Sequence, residues 1–398
     1  MVVKDIYTVK ERIILLCTWF AAAASLLSDS INQLALYVAL PFAFILSWNL
    51  GKSRPNKYMK ILFLLYIWIA ISLLWATNTN LAFRQLQQIL GAFVLCFILS
   101  VNALKQKNLP WLYTIFIILL IGDWYYAYNN IFGLIDLGVD RMDDEKLNAN
   151  SLAYHTFYVT MAVYFMGDML SNRLSKLFKV AFLFIIPLSF YTAILTASRQ
   201  VLLIQLPLIC VLLYCRYWEH TRISNRMLFL FVACGFLFAS APKIMEVYDN
   251  STLKARSELN INDDSRTKLA KDAFQVAIEN LPFGVGANNY MVYSYNKHFS
   301  HNNYLELLAN EGIIGLFLYL WLVLRFLQLQ IKRFIRYNDK MFIVFSTFGI
   351  FYIIDGIFYI FYPQIWLISF FILVATHSET YYRNKYISYE NKRNTGIC

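Results

Sequence analysis

Charged residues are scarce in this chain. They make up 15% of its 398 residues, whereas 59% are hydrophobic and 18% are aromatic. Soluble globular domains carry about 25% charged and roughly 45–50% apolar residues, so this composition excludes an ordinary cytosolic enzyme. At about 20 residues per membrane crossing, the length accommodates roughly a dozen spans and one or two sizeable loops. The composition predicts an all-α polytopic membrane protein embedded in the lipid bilayer.

Motifs for metal and nucleotide chemistry are also missing. The six cysteines form no CxxC pair and have no His/Cys ligand spacing, which argues against a disulfide framework and against a zinc site. The chain lacks a Gly-rich phosphate loop, a GxGxxG turn, a GxSxG elbow and an HExxH helix. No Asp-x-Asp pair falls in the predicted outer loops, which disfavours a metal-bound nucleotide-sugar donor. We therefore expect neither a cofactor nor a metal ion.

Long apolar runs predict about 12 transmembrane helices. They lie near residues 12–28, 31–50, 59–76, 85–103, 110–127, 150–168, 177–196, 200–216, 227–243, 309–328, 341–360 and 364–378. The first run continues into the second and lacks a convincing small-residue cleavage site. We therefore expect a retained helix rather than a signal peptide.

The basic residues predict the orientation of these helices. The formal net charge is +11, and most of the 35 Lys and Arg residues fall in alternate connections if the N-terminus is inside. Cytoplasmic connections retain positive charge during insertion, so we expect both termini to be cytoplasmic. The charge excess is then explained by membrane orientation, and we expect no nucleic-acid partner.

This topology divides the chain into four parts. Residues 1–243 are predicted to form a bundle of nine helices with an outer loop near 128–149, residues 244–308 a large outer loop with active-site residues, residues 309–378 the last three helices, and residues 379–398 a cytoplasmic tail. The large loop precedes the tenth helix and should be partly helical. Its segment Thr267–Asn280 repeats apolar residues at helical spacing, which predicts a short helix on the membrane surface or on the bundle.

Two arginines on the outer side are candidates for anion binding. Arg199 lies in a very short outer turn, where it is either an interfacial arginine whose head reaches water or a functional guanidinium. Its position against the inside bias of basic residues favours function. Arg266 follows Asp263 and Asp264, so it either stabilises the start of the amphipathic helix or binds an anion.

His301 is the candidate base, because it directly precedes a segment with apolar helical spacing on the outer side. Its alternative role is to cap that helix. An imidazole with an ordinary pKa of about 6.5, lowered by nearby arginines, is available near neutral pH to accept a proton from a hydroxyl. Asn302, Asn303 and Glu306 follow within a turn, where they either orient His301, bind sugar hydroxyls or simply start the helix.

Four stretches, in this order, resemble the O-antigen ligase and O-antigen polymerase superfamily. They are RMDDEKLNANSLAY at 141–154, LTASRQVLL at 195–203, DDSRTKLAKDAFQVAIENLPFGVGANNY at 263–290 and HNNYLELLANEGIIGLFLYL at 301–320. In that superfamily a His-Asn pair opens a helix that runs through a Glu and a Gly-x-x-Gly into the membrane. The four stretches cover about a quarter of the chain, and their order makes the resemblance specific.

The resemblance implies a metal-independent, inverting glycosyltransferase in the bacterial inner membrane, with an active site that faces the periplasm. Its donor is a glycan on undecaprenyl diphosphate, and the acceptor of a ligase is a sugar hydroxyl of lipid A–core. Arg199 and Arg266 match the arginines thought to hold the diphosphate, and His301 matches the proposed base. Residues expected to contact substrate are Arg141, Asn150, Asn288, Asn302, Asn303 and Glu306, with a weaker match for the first two.

Other functions remain open at this point. A polymerase shares these motifs and uses a carrier-linked repeat unit as its acceptor, whereas a protein O-oligosaccharyltransferase is a further relative. A transporter is the rival from another class, and it should place charges near the membrane midplane. The only candidates for such charges are Asp123 and Asp355, and the chain shows no repeated halves. We favour the ligase and make no prediction of oligomeric state.

Overall fold

The computed structural model describes residues 7–24, 29–49, 56–130, 149–196, 204–218 and 265–387. Within these ranges the regular secondary structure is helical throughout, without strands. The all-helical class predicted from composition is therefore confirmed for the described part of the chain.

We number the α-helices in chain order. They are α1 (Val9–Ala24), α2 (Asp29–Leu34), α3 (Leu40–Asn49), α4 (Lys57–Ser72), α5 (Thr79–Ala103), α6 (Leu109–Asn130), α7 (Ala149–Met169), α8 (Asn172–Thr196), α9 (Leu206–Leu213), α10 (Ser265–Glu279), α11 (Tyr290–Tyr293), α12 (Asn303–Tyr337), α13 (Lys340–Asp355) and α14 (Ile365–Tyr382). A π-helical turn, Ala35–Ala39, joins α2 to α3 without a break.

The predicted apolar runs coincide with helices wherever the structure describes them. Only the run near 227–243 lies wholly outside the described residues. Among the described residues, five helical stretches are long and apolar enough to cross a membrane: Ser30–Trp48, Lys57–Trp75, Thr79–Ala103, Gln106–Asn130 and Asn303–Tyr337. These stretches support a polytopic membrane protein. The number of 12 helices and the cytoplasmic termini stay predictions.

The last helix lies at the centre of the helical bundle. Every residue of α14 from Leu367 to Thr380 is buried, and the helix packs against α4, α5, α6 and α13. Around it, α7 packs against α6 and α8, while α12 packs against α4 and α13. The largely apolar part of this helix, residues 367–375, fits such a position, since a helix that is apolar all round is expected to be buried.

A second, smaller core lies beside this bundle. It contains Ala273, Val276 and Ala277 of α10, which pack against Val285, Tyr290 and Ala309. The predicted amphipathic helix is therefore present, and its buried side packs on the first turns of α12. This arrangement fixes α10 to the start of the helix that His301 precedes.

The helix α12 is broken at Gly312. The backbone there has φ 66° and ψ −162°, which is not helical. The break divides α12 into residues 303–311, which we call the upper segment, and residues 313–337, which we call the lower segment. The upper segment begins several residues before the apolar run that predicted this helix, because Asn302 caps it. The Asn302 side-chain oxygen accepts hydrogen bonds from Tyr304 N at 3.0 Å and from Leu305 N at 3.1 Å.

A turn from Pro282 to Gly286 satisfies the backbone groups that this break leaves open. Val285 N donates to Ala309 O and Gly286 N donates to Asn310 O, both at 2.9 Å. On the other side of the break, Ile313 N donates to Pro282 O at 3.0 Å. A further carbonyl beside the break, that of Glu311, accepts from Trp68 Nε1 at 2.8 Å. The turn therefore joins the upper and lower segments of α12.

We expect Gly312→Ala to destabilise the protein. Gly312 has φ 66° and ψ −162°, a conformation that costs an L-residue roughly 1–3 kcal/mol, and a Cβ atom would collide with Pro282 O. The apparent Tm in detergent should fall by several degrees. Gly122→Ala is the matched control, since a Cβ atom at Gly122 meets nothing within 4 Å. An equal Tm for the two variants would contradict the role of the break.

Candidate active site

Residues 300–302, which we call the His301 loop, are held in place by hydrogen bonds. Glu306 is only 2% exposed, and its Oε2 accepts from Ser300 N at 2.9 Å. The Ser300 hydroxyl donates to Asn302 O at 3.0 Å and accepts from Asn302 N at 3.1 Å. Between these ties His301 is half-buried and has φ 53°, a left-handed conformation that is uncommon for a residue other than glycine. The loop therefore presents His301 in one defined backbone conformation.

Asn303 joins this loop to the connection between α13 and α14. Its backbone N donates to Gly356 O at 2.8 Å. Its side-chain Oδ1 accepts from Phe361 N at 2.6 Å and from Tyr362 N at 3.1 Å. Asn303 is fully buried, so these bonds are shielded from water. Asn303 therefore ties the start of α12, next to His301, to the connection between α13 and α14 through both its backbone and its side chain.

Arg266 lies in the first turn of α10 and is half-buried. It is close enough to the Tyr154 hydroxyl to interact with it electrostatically. The Tyr154 ring contacts the rings of Tyr359 and Phe361, with centroids 5.0 and 5.4 Å apart. Asn303 binds the backbone of Phe361, and α10 packs on the first turns of α12, which the His301 loop precedes. Arg266 and His301 therefore lie at the same end of the bundle.

Asp272 fixes the segment that leads from α11 to His301. Its Oδ2 accepts from Ser294 Oγ at 2.7 Å and from Asn296 N at 3.2 Å, while its Oδ1 accepts from Tyr295 N at 3.3 Å. Burial raises the pKa of the Asp272 carboxyl, but these hydrogen bonds outweigh burial and hold the pKa below its ordinary value. Asp272 therefore stays ionised and links α10 to the segment before His301.

Asn289 fixes the same part of the chain to the connection between α4 and α5. Its Oδ1 accepts from Asn78 N at 2.7 Å and from Thr77 Oγ1 at 3.1 Å. The neighbouring Asn288, which the sequence analysis selected, has φ 53° and donates from Nδ2 to Leu81 O at 3.4 Å. The loop before α11 is thereby held against the start of α5 and the residues just before it.

The predicted substrate-binding residues occupy different kinds of position. Asn302 is half-buried beside His301, whereas Asn303 and Glu306 are buried and bind backbone groups of the protein. Asn150 lies in the first turn of α7, and its side chain falls outside the described part, as do Arg141 and Arg199 entirely. Contact of these residues with substrate stays a prediction, but Asn303 and Glu306 have a structural role as well.

The structure shows the neighbours of two acids, Asp123 and Asp355, which the sequence alone does not predict. Asp123 lies 2.5 Å from His155 Nδ1, and both side chains are buried between α6 and α7. Asp355, which is 3% exposed, interacts electrostatically with the hydroxyls of Tyr154 and Tyr304. It therefore lies near the contacts between Arg266 and the His301 loop. No local pattern could reveal these neighbours, because they come from distant helices.

The arrangement combines a cation, an imidazole and carboxylates at one end of a membrane bundle. A guanidinium can bind a phosphate oxygen through two hydrogen bonds, and a neutral imidazole can accept a proton. Within the described residues, no group of three or more His, Cys, Asp or Glu side chains could hold a metal ion. The chemistry that these residues themselves offer is anion binding and proton transfer.

We expect Asp272→Asn to loosen the His301 loop, because an amide keeps one acceptor oxygen and directs a donor at other donors. Activity should fall by roughly tenfold or more through misplacement of His301. Hydrogen exchange at the Tyr295 and Asn296 amides should accelerate. Because the pKa of the wild-type Asp272 carboxyl lies below its ordinary value of about 3.9, its hydrogen bonds to residues 294–296 should not change above about pH 5.

Glu279→Gln is the matched control for this change, since Glu279 lies on the same helix and its one hydrogen bond in the described structure is to Gln275. It should leave exchange and activity unchanged. Slow exchange at Tyr295 in the Asp272→Asn variant would show that the loop is held by other contacts.

Comparison with known families now adds to this geometry. Residues 182–320, about a third of the chain, match the Wzy_C family model, described as O-antigen ligase. The matched range includes Arg199, Arg266, Asn288 and the His301 loop, and it ends within α12. Arg141 and Asn150 lie before it. No curated protein matches the chain.

Proposed function

We propose, from the match of residues 182–320 to the O-antigen ligase family model, that this protein transfers O-antigen polysaccharide from undecaprenyl diphosphate to a sugar hydroxyl of lipid A–core. The reaction takes place at the periplasmic side of the bacterial inner membrane and completes lipopolysaccharide. It uses no metal and inverts the anomeric centre. In this proposal the protein binds two partners, a lipid-linked glycan as donor and a lipid as acceptor.

One observation carries the proposal: α10, whose first turn contains Arg266, packs on the first turns of α12, and His301 lies directly before α12. Transfer from a diphosphate carrier needs a cation at the leaving group and a base at the acceptor. The two groups must act on one substrate pair, so they must come from neighbouring elements. The start of α10 and the start of α12 meet this condition.

The proposed reaction is a direct displacement. The acceptor hydroxyl attacks the anomeric carbon, and its proton passes to a ring nitrogen of His301. The bond between the anomeric carbon and the carrier phosphate oxygen breaks, and its electron pair stays on the diphosphate. Arg266, together with the predicted Arg199, stabilises this developing charge in a partly dehydrated site. A general base of this kind contributes roughly 10²–10⁴-fold to the rate.

The remaining residues have supporting roles in this proposal. Glu306 and Asn303 position His301 through Ser300 and the connection after α13. Asn302 follows His301 directly and is partly open to solvent, so it is a candidate for binding a sugar hydroxyl. We also propose substrate contacts for Arg141, Asn150 and Asn288, because they lie in the stretches that resemble the superfamily. An alternating-access transporter would not need a base on the outer loop.

We expect His301→Gln to lose the acidic limb of the pH–rate profile. If His301 is the base, the wild-type rate falls as the imidazole becomes protonated below its pKa, whereas the variant is slow at every pH. His301→Gly controls for folding, because glycine removes the cost of φ 53°, roughly 1–2 kcal/mol. It should fold normally and be inactive. An unchanged profile in His301→Gln would assign His301 to acceptor positioning.

Deletion of the gene in its own host separates the ligase from the polymerase. Glycan-stained gels of lipopolysaccharide and of carrier-linked material give the readout. We expect lipid A–core to lose its whole ladder while long glycan accumulates on the carrier. A core that keeps a single repeat unit would identify a repeat-unit polymerase instead. Unchanged lipopolysaccharide would direct attention to a protein O-oligosaccharyltransferase or a transporter.

A further inference from the structure

The helix α10 has three distinct sides. At about 100° per residue, Ala273, Val276 and Ala277 fall on the side that packs against α12. Phe274 and Ile278 fall together on the next side, where they are 51% and 49% exposed. The third side is polar and exposed, with Lys268, Lys271, Gln275 and Glu279. Burial on the protein therefore leaves one exposed apolar side and one exposed polar side.

The exposed apolar side extends beyond the end of α10. Leu281 is 42% exposed and Phe283 is 52% exposed. We call Phe274, Ile278, Leu281 and Phe283 the apolar flank. A group of large, exposed apolar side chains indicates a surface that contacts a membrane or another protein.

The apolar flank is continuous with the membrane-facing surface of two candidate spans. Phe283 contacts the rings of Trp68 and Trp75, with centroids 6.3 and 6.1 Å apart, at the end of the span Lys57–Trp75. Directly below, Ile313 N is bound to Pro282 O, and the lower segment of α12 exposes Ile313 and Phe317 by 50% and 63%. Tryptophans at the end of a span mark the interface of the bilayer. The apolar flank therefore lies at the height of the lipid headgroups.

We propose that α10 lies in the headgroup region of the bilayer leaflet on the His301 side, with the apolar flank inserted among the acyl chains of phospholipids. Interfacial helices of this kind bury their apolar side roughly 5–10 Å deep. Lys271 adjoins the apolar flank on the helix circumference, where its ammonium can reach lipid phosphates while its stem packs on apolar groups. The bilayer, rather than another protein, completes the burial of α10.

Insertion would set the height of Arg266 above the membrane. Arg266 lies in the first turn of the inserted helix, so the depth of insertion would fix the distance of its guanidinium from the membrane surface. This consequence rests on the proposed function, in which Arg266 binds the diphosphate of a carrier anchored in the same leaflet. The insertion itself does not require that function.

Photo-crosslinking in vesicles tests the insertion without any enzymatic assay. The amino acid p-benzoylphenylalanine replaces Phe274 or Ile278 in the full chain, which is reconstituted into phosphatidylethanolamine and phosphatidylglycerol vesicles free of carrier. Replacement of Gln275 or Glu279, on the polar side of the same helix, gives the matched controls. Replacement of Phe317 gives the benchmark for a side chain in contact with lipid. Mass spectrometry of the intact protein measures phospholipid adducts.

We expect adducts at positions 274 and 278 to approach the yield at position 317 and to exceed those at 275 and 279 several-fold. Equal and low yields at all four positions of α10 would overturn the proposal, as would covalent dimers of the chain at position 274. Because the vesicles contain no donor or acceptor, a negative result here leaves the transferase assay as a separate test of function.

Discussion

The break at Gly312 is the constraint on which the candidate site depends. A helix that changes direction leaves carbonyl and N–H groups open, and in a membrane bundle each such group has to find a partner. The turn from Pro282 to Gly286 provides these partners on both sides of the break. The same turn precedes α11 and follows α10. Closing the backbone of one helix therefore brings the Arg266 helix and the His301 loop to the same end of the bundle.

Amide and carboxylate side chains then fix the individual loops. Asp272, Asn289, Asn303 and Glu306 each accept hydrogen bonds from backbone N–H groups of other segments. Such bonds define a geometry that apolar packing alone would leave variable, since a lost partner leaves a buried polar group unsatisfied. They hold His301 in a left-handed conformation that the isolated segment would rarely adopt. The site is rigid where the proposed chemistry requires a fixed base.

The sequence predicted the helices of the described part, because apolar runs are local signals. Arg266 and His301 were selected from local motifs, and their roles stay predictions. The sequence also predicted a helix at Thr267–Asn280, which the structure has at Ser265–Glu279. It was not sufficient for the roles of Asp272 and Asn289. The partners of Asn289 lie more than 200 residues away, and no local pattern identifies them. Glu306 and Asn303 were selected for substrate, and only the fold reveals their hydrogen bonds to the protein. Arg199 and Arg141 lie outside the described residues and stay predictions.

In the proposed reaction, Arg266 acts on the donor and His301 acts on the acceptor within one site. Steady-state kinetics of the purified protein with a carrier-linked donor test this assignment most directly. We expect Arg266→Ala to raise KM for the donor, whereas His301→Gln should lower kcat and leave that KM unchanged. Equal changes in KM for both variants, or full activity of either one, would contradict it.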